Sequence, residues 1–399
     1  LCHGFLEIAF PISSVKSPVL NNSYRCWAEI DLDALRENLA WISHRVGPKV
    51  RIMTVVKADA YGHGLKQIAA LLMQSGTDVF GVANLTEARA VRSVGTGWPV
   101  LMLGACLPDE VEPAVRDNVM PTISSLNEAK LFSDAATKLK QNIAVHIKID
   151  TGMGRLGVGL DESVDLAVEM ARMPGLKLEG LYTHYASVED DPVFSRRQRK
   201  SFQRIVGRLD EAGIHPPTIH ANNSAALLHE PDTLFNLVRP GLMVYGVLPM
   251  GNRRIGAALE KHIRPALSLK CRVSLVKEIS SGTSLSYGRT FVAPRKMRVA
   301  TVTAGYGDGF PRAGSNRAQV LVGGKRCAVL GRITMDQAMV DVSKLPRVAT
   351  GNEVVLLGQQ GRDAITANEL ASWCGTVPWE ILTNISYRVT RVYRGGQAS

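Results

Sequence analysis

The sequence predicts an α/β protein in two parts, a long run of alternating strands and helices followed by a mostly β domain. Three observations predict it. At 399 residues the chain exceeds what one ordinary core holds, so two domains are expected. From Trp27 to Pro249, short β-rich runs alternate with helical spacing of apolar residues, the rhythm of βαβ units and a parallel sheet. After Gly251 that rhythm gives way to strand-like runs separated by Gly-, Pro- and Asn-rich turns. Roughly eight β/α units in the first part suit a closed (β/α)8 barrel of the TIM type, although an open doubly wound sheet has the same periodicity.

In the first part, Arg51–Lys57, Val79–Ala83, Val100–Leu103, Ile143–Ile149, Leu178–His184, Thr218–Ala221 and Leu237–Tyr245 read as strands. They are compact, rich in β-branched residues and bounded by turn residues. Between them, Leu32–His44, Leu65–Gln74, Thr86–Val94, Leu126–Leu139, Glu162–Arg172 and Phe194–Ala212 have helical spacing. In the second part Ser268–Ile279, Met297–Thr303, Gln319–Leu321, Arg326–Leu330, Ala338–Val342 and Glu353–Leu357 are strand-like, and only Ala367–Cys374 looks helical. The expected division is a disordered lead-in over 1–24, a barrel over 25–254 and a β-rich domain over 255–399.

Composition removes several function classes. An apolar fraction of 45% without any bilayer-length apolar run describes a globular chain and argues against a membrane protein. The opening segment lacks a basic n-region and a small-residue cleavage signal, so export is not expected. Six dispersed cysteines without short paired spacings point to a reduced, cytoplasmic protein, and no Cys/His pattern suggests a metal. The formal charge of +11 is spread along the chain. The one dense run, Arg196 to Lys200, falls in a polar helical stretch and reads as a solvated face, so nucleic acid is not an expected partner.

Chemistry gathers at strand ends. In Val56-Lys57-Ala58-Asp59-Ala60-Tyr61-Gly62-His63-Gly64 a buried-looking strand runs into a lysine and then a Gly/Tyr/His turn. Active sites of barrels lie at such C-terminal mouths, and burial there lowers an amine's pKa. A lone lysine would more simply snorkel out of the strand end. In His146-Ile-Lys148-Ile-Asp150-Thr-Gly152-Met-Gly154-Arg155-Leu-Gly157 the glycines form a literal G-x-G-x-x-G, the one feature favouring a nicotinamide-dependent oxidoreductase. It stands mid-chain, whereas that fingerprint normally opens the first βαβ unit. Five further motifs follow: Leu181-Tyr-Thr-His184-Tyr185, His220-Ala-Asn222-Asn223-Ser224, Val238-Arg239-Pro240-Gly241-Leu242, Ser284-Leu-Ser286-Tyr287-Gly288 and Gly331-Arg332-Ile-Thr-Met335-Asp336-Gln337. The segments Ala304–Arg312, with Tyr306, and Ile385–Val389, with Tyr387, complete the set.

In this order, from Trp27 to Val392, these motifs closely resemble the alanine racemase family, which joins a (β/α)8 barrel to a C-terminal β domain. The resemblance implies pyridoxal 5'-phosphate as cofactor, carried covalently by Lys57. It implies that Tyr61, Asn223, Ser224, the backbone N–H groups of Gly241 and Leu242, and Tyr387 surround the cofactor phosphate, with His184 at the ring. Arg239 would donate to the ring nitrogen. An arginine does not yield its proton, so the nitrogen would stay unprotonated and transamination would be suppressed. Arg155 would take the substrate carboxylate, oriented by Lys148 in carbamylated form, and the Met335 backbone would contact substrate. Tyr287, reaching the partner subunit's site in a homodimer, would be the second base opposite Lys57. A phenol's ordinary pKa is about 10, so that role needs cations or hydrogen bonds nearby. Tyr306 and Arg312 would line the entrance channel, and Arg332 and Asp336 would support the Met335 loop. The implied activity is interconversion of L- and D-alanine, supplying D-alanine for peptidoglycan. A broader racemase that also accepts serine, or a non-catalytic cofactor-binding protein, are the alternatives.

Overall fold

A computed structural model of the chain describes residues 24–230, 234–249 and 261–396, so the lead-in before Tyr24 and the expected boundary near 255 lie outside the described residues. Eight parallel strands form the first body: β2 (Arg51–Val55), β3 (Val79–Val82), β4 (Val100–Met102), β5 (Thr122–Ile123), β6 (Ile143–Lys148), β7 (Leu176–Tyr182), β8 (Thr218–Asn223) and β9 (Leu237–Arg239). They pair in the order β4-β3-β2-β9-β8-β7-β6-β5. The ring closes between its end strands, where Met102 N donates to Met120 O and Met120 N to Val100 O, both at 2.9 Å. The barrel, and not the open sheet, is therefore the architecture.

Where both faces of a strand are covered by apolar neighbours its whole length is apolar, as in Val79–Val82, where every residue is buried. The helices between them begin on capping side chains. Asp31 accepts from Ala34 N at 2.9 Å ahead of Leu32–Val46, Asn84 from Glu87 N at 2.9 Å ahead of Leu85–Arg92, and Ser125 from Glu128 N ahead of Leu126–Leu139. Helix Leu32–Val46 buries Ala34, Leu35, Asn38, Leu39 and Ile42, one stripe turned to the barrel.

The second body is a nine-stranded sheet built around β10 (Leu267–Ile279), whose side chains alternate buried and half-exposed over most of its length. A short hairpin of β11 (Ser284–Leu285) and β12 (Phe291–Val292) stands beside it. The remaining strands are β13 (Met297–Val302), β14 (Gln319–Val322), β15 (Lys325–Ala328), β16 (Ala338–Asp341), β17 (Glu353–Gln360), β18 (Asp363–Ile365) and β19 (Thr390–Arg394).

Four sequence readings are corrected. Strand β1 (Cys26–Asp31) belongs to the second sheet, antiparallel to β10 and parallel to β19, so the residues at the expected start of the barrel serve the other body. The strand read over Leu237–Tyr245 ends at Arg239, and 242–246 form a turn. Pro108–Arg116 is an additional helix, capped by Glu110 back-bonding to Leu107 N. Helix Pro378–Thr383 follows Ala367–Cys374, so the β part holds a second helix. Pro108 and Pro378 occupy first helical positions, where a missing N–H costs nothing.

Candidate active site

The C-terminal ends of the barrel strands open on a cavity of about 530 Å³. Its wall includes Lys57, Tyr61, Lys148, Arg155, His184, Asn223, Ser224, Arg239, Gly241 and Leu242, ten of the residues singled out from sequence. Tyr182, Glu189 and Trp379 also line it, and sequence reading passed over all three.

Lys57 stands just past β2, and the chain after it turns left-handed. Ala58, Asp59, Ala60 and Tyr61 all have φ between 52° and 56°, a conformation that costs an L-residue about 1–2 kcal/mol each. The surroundings hold it. Glu87 accepts from Ala58 N and Ala83 N, each at 2.7 Å, and Asp59 Oδ1 accepts from Leu65 N at 2.7 Å. From the β body, Arg391 donates to Gly62 O at 3.1 Å and Tyr393 to His63 O at 3.1 Å. A Cβ on Gly62 would lie 2.2 Å from Leu382 O, so the turn and helix Pro378–Thr383 are in close contact. The turn carries Tyr61 inward, stacked on Tyr245 at 4.8 Å, and brings its hydroxyl to Gly241, where a Cβ would meet it at 2.5 Å.

Arg239 is buried, with 3% of its surface exposed. Its Nη2 donates to Thr183 O and Ala221 O at 2.9 Å and to His184 Nδ1 at 3.2 Å, while Nη1 donates to His220 Nδ1 at 2.9 Å. Arginine has no acceptor, so both histidines accept at Nδ1 and carry their protons on Nε2. Its Nε–H makes no bond among the described residues. The guanidinium lies over the Tyr182 ring at 5.3 Å, and that ring is stacked on His220. Burial lowers the Arg239 pKa to about 10, still fully charged at neutral pH.

The cavity gathers like charge. Lys57 is pushed down by burial and then by Arg155 and Arg239, and Lys148 falls to about 8 for the same reasons. His184 is held neutral by burial and by Arg239. Against these cations the wall offers one carboxylate, Glu189, which burial and Asp190 raise to about 7. Opposite, Ser224 Oγ accepts from Gly241 N at 2.9 Å at the head of helix Ser224–His229.

The glycine triplet has a different use from the one its pattern suggests. Gly152, Gly154 and Gly157 all have positive φ, and the loop wraps the Asp150 carboxylate, which accepts from Gly152 N, Met153 N and Gly154 N at 2.9–3.1 Å. Those N–H groups are thus engaged by the chain itself, which leaves no pyrophosphate cradle there.

The β-body residues expected from sequence form a second group outside this cavity. Tyr287, Met335 and Tyr387 are 71%, 53% and 100% exposed, and none lines the wall. Arg388 ties their segments together, pairing with Asp308 at 2.8 Å and Asp336 at 2.9 Å and donating to Met335 O. Ser286 Oγ donates to Arg332 O at 2.6 Å, joining the Tyr287 turn to the same cluster, while Tyr306 and Arg312 sit on two short 3-10 turns beside it.

The fold and the site define a two-body α/β protein, a closed parallel barrel joined to a β body, whose mouth places an amine of lowered pKa among arginines. Residues 30–249 match the family model for the alanine racemase N-terminal domain and 266–393 that for the C-terminal domain. The chain belongs to the alanine racemase family. It is 42% identical over 368 residues to the alanine racemase of Carboxydothermus hydrogenoformans, spanning 92% of this chain and 99% of that one. Among solved structures it is similar to alanine racemase of Clostridium difficile, with a TM-score of 0.86, 35% identity, and 93% and 96% of the two chains covered. The enzyme from Streptomyces lavendulae gives a TM-score of 0.88 at 34% identity, covering 94% and 98%.

Proposed function

We propose that this chain racemises alanine with pyridoxal 5'-phosphate held at the barrel mouth, and that it works as a homodimer with shared sites. The observation that carries the reading is the convergence of Lys57, Arg155, Arg239, Ser224 and Gly241 on one cavity in a member of this family. The residues fit the cofactor. A cation-rich wall suits a phosphate dianion, Gly241 leaves room beside the Tyr61 hydroxyl, and the unengaged Arg239 Nε–H suits an unprotonated ring nitrogen.

Bound there, pyridoxal phosphate supplies the electron sink that acidifies the α C–H of an amino acid joined to it. The chain's own residues do the rest. Arg155 holds the substrate carboxylate. The Lys57 amine, its pKa lowered by burial and by Arg155, has more of its neutral form available to move a proton on one face. Tyr287 of a second copy serves the other face, which accounts for a tyrosine standing 71% exposed and away from its own chain's cavity. Met335 and Tyr387 complete the site from the β body. Lys148, at about 8, has a neutral fraction at physiological pH that can add carbon dioxide, and the resulting carbamate would offset Arg155. D-alanine for peptidoglycan is the product's use on this reading.

The test is racemisation over a panel of amino acids, with and without added cofactor, in Lys57→Ala, Tyr287→Phe and their mixture. Each variant alone should be inactive. Mixed dimers contain one site with both bases, so about a quarter of the wild-type rate should return on random mixing. No rescue on mixing would overturn the shared site, and racemisation by Lys57→Ala alone would overturn the role of Lys57. Equal rates with serine would favour the broader enzyme. A native mass lacking one added carbon dioxide would remove the Lys148 carbamate.

A further inference from the structure

At the other end of the barrel, the N-terminal ends of the strands surround a second cavity, of about 490 Å³. Conservation of this end in barrels is ordinarily a matter of stability. Here its wall carries Arg51, at the start of β2, together with Arg92, Trp98, Asn118 and His146. Neither arginine is in an ion pair among the described residues; Asp117, the carboxylate whose charge reaches Arg92, is paired with Arg89 at 2.6 Å. Arg92 is half-buried and gives its Nη groups to two carbonyls, Trp98 O and, at 2.9 Å, Asn118 O. The wall's one carboxylate, Glu179, is paired with Lys177 at 2.8 Å.

His146 is the buried member of this wall, with 2% exposure. It fits because β7 has a glycine opposite it, and a Cβ on Gly180 would lie 2.1 Å from its Nδ1. That Nδ1 is 3.0 Å from His220 Nε2, and His220 Nδ1 is 2.9 Å from Arg239. The proton positions follow from the arginine end. Arg239 only donates, so His220 accepts at Nδ1 and donates from Nε2. His146 therefore accepts at Nδ1 and keeps its proton on Nε2. The only side-chain hydrogen bond His146 makes among the described residues is at Nδ1, which leaves Nε2–H free in a side chain that lines the cavity. Every unspent polar group of Arg51, Arg92 and His146 is thus a donor.

We propose that the cavity at the foot of the barrel is a second binding site, for a small oxyanion of the carboxylate or phosphate type. Arg51 and Arg92 hold its charge and the Nε2–H of His146 fixes its position. The His146–His220 pair connects that anion to Arg239. An acceptor on His146 Nε2 polarises the chain of hydrogen bonds and strengthens the one that each following group receives, so occupancy at the foot is felt at the mouth. The binding claim stands independently; only the connection to Arg239 rests on the cofactor reading above.

The experiment is calorimetric titration of the cofactor-loaded protein with inorganic phosphate, and separately with acetate, at constant ionic strength. Fluorescence is followed in parallel and compared with Trp98→Phe. Saturable binding is expected, weakened about tenfold or more by Arg51→Gln, the equivalent of about 1.4 kcal/mol, and unaffected by saturating alanine. Whichever anion binds tighter identifies the source. No saturable heat, equal affinity in Arg51→Gln, or competition by alanine, which would place the anion at Arg155, overturns the site. Filling the foot should also shift the visible absorbance of the bound cofactor in the native chain. Gly180→Ala, which displaces His146, and the milder His146→Gln should both abolish the shift. A shift that survives both variants removes the relay. A protein without cofactor absorbance would count against the catalytic reading, while the titration still decides the site.

Discussion

Arg239 illustrates how much one side chain is asked to hold. It spends its Nη groups on two carbonyls and two imidazoles and keeps Nε for the cavity. Arg239→Gln is therefore expected to lose about 2–4 kcal/mol in a urea titration, because the buried acceptors left behind have no water to turn to. Tyr182→Phe is the contrast. It removes only the hydroxyl bond to Thr122, at 2.8 Å, and should cost about 1 kcal/mol while racemisation stays near normal. Sequence reading found Arg239 and His184, which accepts from it, but assigned no role to Tyr182, His220 or His146 around it. His146 and Lys148 lie two apart on β6 and share a face, so the signal for His146 was present in the strand period. Tyr182 and His220 had none, since an aromatic and an imidazole in apolar strands look like core. Glu87 was hidden for another reason: it holds the turn after Lys57 through backbone N–H groups, from a helix outside every motif.

The left-handed turn after Lys57 is the element that sequence could least have revealed. None of its four residues is glycine or asparagine, the usual markers of positive φ. It survives because Glu87, Asp59, Arg391 and Tyr393 close around it. Ala58→Gly, at an exposed position, should therefore stabilise the protein by up to about 1 kcal/mol, the reverse of a glycine in an ordinary helix. Glu87→Ala should destabilise it by about 1–3 kcal/mol and weaken cofactor retention, as read by thermal melting and by absorbance after gel filtration. The regular elements were legible, because apolar runs of strand length alternate with capped, 3.6-periodic stretches from Arg51 onward. What escaped was short or proline-led: the two residues of β5, and the helices opening on Pro108 and Pro378. The partner of β1 was likewise unreadable, since a strand's own period does not say which sheet it joins.

For the whole molecule, burial sets a pH response. His146 and His63 are held at about 3 and about 4, below their usual 6.5, chiefly by burial. Unfolding lets each take up a proton, so their contribution to stability is complete above pH 6.5 and is lost as pH falls toward those values. Each should add a slope of about 1.4 kcal/mol per pH unit within that window. The urea midpoint should drop between pH 7 and pH 5, and His146→Gln should flatten the fall. A midpoint insensitive to pH over that range would mean that the imidazoles are already charged in the folded protein.

Strand β1 gives the chain a property of another kind. The first strand among the described residues lies between β10 and β19, both made only after all the barrel strands β2 to β9. At ordinary synthesis rates it waits on the order of tens of seconds for both neighbours, while the whole barrel is completed in the interval. Its two edges are unpaired throughout, and folding cannot proceed as two successive self-sufficient units. The finished fold is fastened like a clasp, with Cys26–Asp31 laced between strands of the second sheet. A single protease cut between 249 and 261 should accordingly leave two fragments that travel as one particle in size-exclusion chromatography. A 261–396 fragment made alone should gain its β-sheet circular dichroism only when a peptide spanning 24–31 is supplied.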